Sequence, residues 1–387
     1  VFIGDKVNIV LFNTLYYPYR IGGAEVSVQI LAEELVAKGN NVTVVSLSEG
    51  LKQERDNIGG VKIIKLPIKN LYWPFNQKKQ SKFKRLLWHI IDIYNPAYIK
   101  TVKDIFTETE PDVVHTNNLS GFSTSVWAVA KKNKIKIVHT ARDYYLMHPN
   151  CTLFKNNENM NVKSLNVKAW SFFKKKKSAK IDVFIGISEF ITNLHKNNGF
   201  FRESLCTTIY NPVVVNAIKQ GENTQLTNKR VGFIGRLSEE KGFLEYCELA
   251  KNNRNYTFFA AGNYISEKEK ERLSKFSNDA NVNVLGYVPV EKFFNMVDIV
   301  ILPIKWNEPF GRVVVESVLA GKLVISRKVG SLPELSQILP NIRLVDSLID
   351  EFDEVVNSAV MSEVSEDVKK MFSPDNVANK YISAYKM

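Results

Sequence analysis

Cysteine is scarce and scattered in this chain. Cys151, Cys206 and Cys247 lie far apart, odd in number and without a Cys-x-x-Cys pair. That leaves no disulfide framework and no thiolate zinc site, and it points to a reducing compartment. No apolar run approaches the roughly 20 residues of a membrane span. Residues 1–6 carry neither the charge nor the apolar core of a signal peptide. The expectation is therefore a soluble, cytoplasmic protein. Two phosphate-binding glycine patterns are missing as well. Without Gly-x-x-x-x-Gly-Lys-[Ser/Thr] there is no P-loop, and without Gly-x-Gly-x-x-Gly after the first strand a dinucleotide oxidoreductase is disfavoured. Low-complexity segments and short repeats are lacking too.

What is present is a long, basic and well-mixed chain of 387 residues, 45% hydrophobic and 24% charged. Single cores stop growing at roughly 250–300 residues, so two domains are expected. A formal charge of +12 favours anionic partners: nucleic acid, a phospholipid surface or a phosphorylated ligand. No nucleic-acid module or recognition helix is visible, so no nucleic acid is expected as partner.

The chain opens as strand, loop and helix. Residues 7–12 form a short apolar run, and Gly22-Gly23 follows in a polar and aromatic loop. Val28, Leu31, Ala32 and Leu35 then recur at helical spacing until Gly39 stops them. A second apolar run at 42–46 completes a strand–helix–strand unit, which implies a parallel crossover and a doubly wound sheet. Further strands are expected at 112–115, 135–140 and 182–188. Near Tyr210-Asn211-Pro212 the pattern restarts, with strands at 230–234, 256–261, 282–285, 299–303 and 323–326. The expected division is residues 1–210, 211–370 and a terminal helix at 371–387. Two such halves in succession imply a cleft where ligands bind.

Two strand-end loops carry residues suited to chemistry. Glu308-Pro309-Phe310-Gly311-Arg312-Val313-Val314-Val315-Glu316 leads from a strand into a helix. Pro309 and Gly311 bar helix at the front, free backbone N–H groups suit an anion, and two carboxylates suit sugar or ribose hydroxyls. Taken alone, the same glutamates also fit a helix-front charge and a solvated face. Gly235-Arg236-Leu237-Ser238-Glu239-Glu240-Lys241-Gly242 places two cations on a glycine-bounded loop. They could neutralise a diphosphate, or they could be two surface basic residues.

Together these features resemble the retaining glycosyltransferases of family 4, which have the GT-B fold. The matching signatures are Gly22-Gly23-Ala24-Glu25, Gly235-Arg236 with Lys241-Gly242, Ala261-Gly262, Gly286-Tyr287-Val288, the Glu-x7-Glu segment 308–316, and a last helix near 372–385. The resemblance implies α/β architecture, with two Rossmann-like domains and the terminal helix returning to the first. It implies that Arg236 and Lys241 grip the donor diphosphate, with Gly262 among the donor-binding residues. Glu316 would bind the ribose and Val288 the base. Glu308 with the backbone of Phe310 and Gly311, followed by Arg312 and Val313, would hold the sugar, and the Gly22-Gly23 loop would close on the phosphates. The implied activity moves a sugar from UDP-sugar, or GDP-sugar, to a glycan or lipid-linked acceptor in bacterial surface polysaccharide synthesis. No cofactor is implied, and the chain lacks the Asp-x-Asp of metal-dependent transferases. A nucleotide-sugar epimerase of the same fold is the alternative.

The chain departs from the family at Thr140-Ala141-Arg142-Asp143, where many members read Thr-x-His-Asp. Arginine is no general base at ordinary pH, so Arg142 would bind a hydroxyl, a phosphate or the acceptor. His115 and Asp143 join it as acceptor-side candidates. His139 fits a packed residue better than a catalytic one. Residues 71–106 mix aromatics with Lys78, Lys79, Lys82, Lys84 and Arg85, and Lys174-Lys175-Lys176-Lys177 follows Trp170. Cations beside Trp and Phe suit an anionic membrane surface on the inner leaflet; a solvated basic face is the other reading.

Overall fold

In the computed structural model, which describes residues 6–19, 21–76, 78–214 and 230–387, the short apolar runs are buried strands flanked by helices. The signal-peptide reading of residues 1–6 rests almost wholly outside the described residues, and the division expected between residues 210 and 211 lies within them. Two compact units emerge. The first joins Val1–Leu153, Asn161–Pro212 and Pro374–Met387, and the second joins Phe154–Met160 and Val213–Ser373.

The strands are, in chain order, β1 (Asn8–Phe12), β2 (Asn41–Ser48), β3 (Glu54–Ile58), β4 (Val61–Pro67), β5 (Val113–Thr116), β6 (Lys136–Ala141), β7 (Phe154–Lys155), β8 (Glu158–Asn159), β9 (Val183–Gly186) and β10 (Leu205–Thr208). Then come β11 (Arg230–Ile234), β12 (Thr257–Ala261), β13 (Asn283–Gly286), β14 (Ile299–Leu302), β15 (Leu323–Arg327) and β16 (Ile342–Val345).

The first unit is an eight-stranded sheet in the order β10-β9-β6-β5-β1-β2-β4-β3. All neighbours are parallel except β3 with β4, an antiparallel edge pair. Helix cover on both faces explains why the inner strands read as unbroken apolar runs. Ile9, Val10, Leu11 and Phe12 are each at most 1% exposed, and burying such a side chain contributes about 1.5–3 kcal/mol. Helix Gly23–Ala37 turns Val28, Leu31, Ala32 and Leu35 inward. They share one core with Val377, Ala378, Tyr381, Ala384 and Tyr385 of the last helix, Pro374–Lys386. The irregular stretch 71–106 resolves into helices Lys82–Ile91 and Ile99–Thr109 joined through a short turn at Pro96–Tyr98.

The second unit is a wholly parallel six-stranded sheet, β13-β12-β11-β14-β15-β16. Its core gathers Val231, Phe233, Ile299, Ile301, Leu323 and Ile325 around Phe243, Tyr246 and Leu249 of helix Phe243–Asn252. The β7–β8 hairpin belongs here despite its place in the chain. Asn159 explains why: its Nδ2 donates to Lys305 O at 3.0 Å, and its Oδ1 accepts from the Asn307 N–H at 2.9 Å.

Candidate active site

Counted from β11, the second sheet runs third, second, first, fourth, fifth, sixth strand. In such a sheet the crossovers leave in opposite directions from the first and fourth strands, and a crevice opens at their carboxyl ends. Here those strands are β11 and β14. The loop after β11 carries Arg236 and Lys241, and the loop after β14 carries Glu308. The structure thus brings together two segments that lie far apart in sequence.

Backbone contacts lace these loops to their neighbours. The Gly235 N–H donates to Ala261 O at 3.0 Å, the Leu237 N–H to Asn263 O at 3.0 Å, and the Gly262 N–H to Gly286 O at 2.7 Å. Glycine is required at Gly262: its φ is +141°, and a Cβ there would lie 1.8 Å from Gly235 O. Gly330 does the same on the other side, where a Cβ would lie 2.2 Å from Glu308 O. The Ser331 N–H donates to that same oxygen at 2.9 Å, and the Lys305 N–H to Glu240 O at 3.1 Å. These bonds fix the main chain of Glu308 independently of its side chain.

The charged groups pair with one another. Lys241 Nζ donates to Glu308 Oε2 at 2.7 Å and lies 5.0 Å from the centre of the Trp306 ring. Arg236 pairs with Glu240 at 2.8 Å and stays 45% exposed. Arg312 Nε donates to Glu316 Oε1 at 2.8 Å within helix Arg312–Leu319. Glu316 is 7% exposed. Burial pushes its carboxyl above the usual range, and the Arg312 guanidinium pulls it back. Phe310 is buried, its ring 6.2 Å from that of Phe372, while Gly311 holds φ +77° at the helix entrance. Val313 is half-buried in the first turn of that helix, and Val288 is half-buried just after β13.

The first sheet has its own reversal point, between β1 and β5. Thr14 after β1 donates through Oγ1 to Ser120 O at 2.8 Å, and its N–H donates to Asn118 O at 3.0 Å. Arg142, after β6, is 6% exposed. Its Nε donates to Asn117 Oδ1 at 2.8 Å and its Nη1 to Asn211 Oδ1. Asp143 accepts from Asn118 Nδ2 at 2.7 Å and from the Tyr145 N–H at 2.8 Å; burial pushes its carboxyl up to about 6. At the Gly22-Gly23 loop, the Gly22 N–H donates to Glu25 Oε2 at 2.8 Å, closing the start of the helix. Burial raises the Glu25 carboxyl, with that N–H and Arg142 pulling the other way.

Two sequence expectations need correction. His115 is fully buried, and both ring nitrogens are engaged: Nδ1 with Tyr385 Oη at 2.8 Å and Nε2 with Thr140 Oγ1 at 2.8 Å. It ties the sheet to the last helix and has no atom left for an acceptor. Lys174 is not part of a surface lysine run; its Nζ donates to Tyr145 O at 3.0 Å and lies 3.4 Å from that ring's centre. His139 is packed, with Nδ1 2.9 Å from Thr116 Oγ1, and burial takes its imidazole down to about 3. Asn117, Asn118 and Asn211 were not singled out from sequence, although Thr116-Asn117-Asn118 at a strand end is the signal that would have found the first two. Among the described residues no cluster of three or more His, Cys, Asp or Glu could hold a metal ion.

Comparison with known proteins identifies the family and the fold. Residues 21–216 match the Glycosyltransferase Family 4 model, and residues 214–368 match the Glycosyl transferases group 1 model. The chain is 48% identical to an uncharacterized 42.6 kDa protein in the cps region of Klebsiella pneumoniae, over 98% of this chain and 100% of that one. It is 24% identical to an uncharacterized glycosyltransferase of Methanocaldococcus jannaschii, over 98% of each. Among solved structures, sucrose-phosphate synthase from Thermosynechococcus elongatus superposes with TM-score 0.73 at 15% identity, covering 98% of both chains. Anabaena HepE in complex with UDP and glucose superposes with TM-score 0.68 at 17% identity, covering 98% and 99%. The chain belongs to the family 4 glycosyltransferases and has their GT-B fold.

Proposed function

We propose that this protein is a retaining, metal-independent glycosyltransferase that moves a sugar from UDP-sugar to a glycan or lipid-linked acceptor in surface polysaccharide synthesis. The observation that carries the reading is the Lys241–Glu308 pair at the reversal point of the second sheet. A cation and a carboxylate held together there match the two ends of a nucleotide sugar, diphosphate and hydroxyl-bearing ring. Lys241 and Arg236 stabilise the charge that grows on the departing diphosphate. Glu308 accepts hydrogen bonds from the transferred sugar, and Glu316 from the ribose. Gly262 keeps the phosphate-side backbone open. Val288 meets the base through its backbone, while Gly311, Phe310, Arg312 and Val313 line the sugar side.

For retention, the acceptor hydroxyl attacks the anomeric carbon from the side the phosphate leaves. The anomeric C–O bond breaks, its electron pair goes to the β-phosphate oxygen, and that oxygen takes the acceptor proton. No protein base is needed, which accommodates Arg142 where a histidine is usual. Arg142, with Asn117 and Asp143, is assigned to the acceptor. A Cβ at Gly22 would meet only Glu25 Oε2, at 3.9 Å, so the fold itself does not demand glycine there. A close phosphate supplies the reason. UDP as the nucleotide has the support of the HepE structure, which binds it. The surface-polysaccharide role has the support of the Klebsiella relative in the cps region.

The test is a screen of UDP- and GDP-sugars for donor hydrolysis and transfer, with and without EDTA, and with product anomers read by NMR. Transfer from a UDP-sugar with retained configuration and no EDTA sensitivity is expected. Interconversion of a donor without any acceptor would make the protein an epimerase, and an inverted product would refute the front-face route.

A further inference from the structure

Helix Lys82–Ile91 carries its apolar stripe on the outside. Phe83, Leu86, Leu87 and Ile90 fall at i, i+3, i+4 and i+7, hence on one face. All four are exposed, Phe83 at 69%. Trp88 anchors the opposite side, buried, its indole N–H donating to Tyr72 O at 2.9 Å. Lys82 and Lys84 stand on either side of Phe83, each turned about 100° from it.

A second helix, Leu165–Ser178, lies alongside. The His89 and Trp170 rings are 6.1 Å apart, and Lys177 Nζ is 5.0 Å from the centre of the Tyr94 ring. This helix buries Val167, Ser171, Lys174 and Ser178. It leaves Leu165, Phe172 and Phe173 exposed at 85%, 57% and 55%. Each of these two neighbouring helices thus turns large apolar side chains outward.

The charge carried by the two helices is of one sign. Lys82–Ile91 carries Lys82, Lys84 and Arg85, and Leu165–Ser178 carries Lys168, Lys175, Lys176 and Lys177 besides the buried Lys174, with no Asp or Glu in either helix. A second copy of this chain would set cation against cation, which disfavours self-association. A surface of negative headgroups over hydrocarbon satisfies both features at once: apolar side chains enter the acyl boundary and the lysines meet the phosphates.

We propose that helices Lys82–Ile91 and Leu165–Ser178 form a docking face for an anionic phospholipid surface. The face lies in the first unit and shares no residue with the donor site, so it stands or falls separately from the transferase reading. Docking there presents this enzyme to acceptors built on lipid.

The full chain is co-sedimented with vesicles of phosphatidylcholine alone and with vesicles containing about 30% phosphatidylglycerol, at about 0.1 M and about 0.5 M NaCl. Binding to the anionic vesicles only, reduced by salt, is expected. The pair Leu86→Glu with Leu87→Glu, and separately Lys82→Glu with Lys84→Glu, should each lower the bound fraction at least about tenfold, with circular dichroism and UDP binding unchanged. These side chains are exposed, so neither pair should disturb folding. No vesicle binding, equal binding to neutral vesicles, or anionic binding that survives both pairs overturns the proposal. A dimer in sedimentation equilibrium that Leu86→Glu dissociates, without vesicle binding, would assign the face to self-association instead.

Discussion

Substitutions at Lys241 and Glu308 should act on UDP in opposite directions. In the structure the two side chains satisfy each other at 2.7 Å, with 22% and 14% of their side-chain surfaces exposed. Lys241 keeps two further N–H donors and Glu308 further lone pairs, so a nucleotide sugar shares and weakens the pair. A charge-assisted hydrogen bond contributes about 1.5–3 kcal/mol. Lys241→Ala should thus weaken UDP roughly ten- to a hundredfold. The carboxylate left beside the diphosphate pushes the effect toward the upper end. Glu308→Gln keeps the shape, removes the charge and frees Lys241. A partly exposed ion pair is worth at most about 1 kcal/mol net, so UDP affinity should hold or rise by up to about fivefold. Turnover should nonetheless fall by about a hundredfold or more, because the sugar loses its charged acceptor. The double variant should bind UDP more tightly than Lys241→Ala alone, since the unpaired carboxylate is gone. Calorimetric titration of UDP against all four proteins, with turnover measured in parallel, completes the cycle. If Glu308→Gln weakens UDP as much as Lys241→Ala does, the pair does not guard the diphosphate and the reasoning fails.

Three further outcomes follow from the same contacts. Gly262→Ala should destabilise the second unit by about 3 kcal/mol or more, read as a drop in melting temperature, since its Cβ would lie 1.8 Å from a backbone oxygen at φ +141°; an unchanged melt would refute the interlocked strand ends. Tyr385→Phe strands the buried His115 Nδ1 and should cost about 1–3 kcal/mol of stability with turnover within about twofold; a large loss of turnover in a stable protein would return His115 to the chemistry. Acid should weaken the first unit. His139 and His195, buried neutral with imidazoles near 3 and 4, and His115, also depressed, give stability that is full above the unfolded value of about 6.5 and is lost as pH falls toward those values. Asp92 and Asp143, pushed up to about 7 and about 6, act in the opposite sense and gain as pH falls. Counting His89, also lowered to about 4, the depressed imidazoles outnumber the raised carboxyls of Asp92, Asp143 and Glu25, so the first unit should lose stability on acidification. Urea unfolding followed by tryptophan fluorescence at about pH 6.5 and 5 measures it, and stability that holds or rises on acidification contradicts the sign.

Apolar periodicity reveals that an element exists, but which side of it faces protein is a separate question. The strand-end loops of Arg236, Lys241, Glu308 and Glu316 were legible because glycine, proline and charge change abruptly after each apolar run. Their pairing was not, because Lys241 meets Glu308 across 67 positions and only sheet order brings them together. Strand alternation likewise could not separate His115 from His139: both lie on inner strands of a sheet covered on both faces, so both are buried. The β7–β8 hairpin escaped notice because two-residue strands have no periodicity, and Asn159 holds it by hydrogen bonds instead. The basic helices make the point most sharply. Leu165–Ser178 buries Val167, Ser171, Lys174 and Ser178, an inward face of small and polar residues, and turns Phe172 and Phe173 out. Lys82–Ile91 similarly points Phe83, Leu86, Leu87 and Ile90 away from the core while Trp88 holds it down. A rule that sends apolar residues inward finds both helices and assigns each the wrong face. The inversion is itself the informative feature, because large apolar side chains turned outward contribute nothing to the core and mark a surface suited to contact.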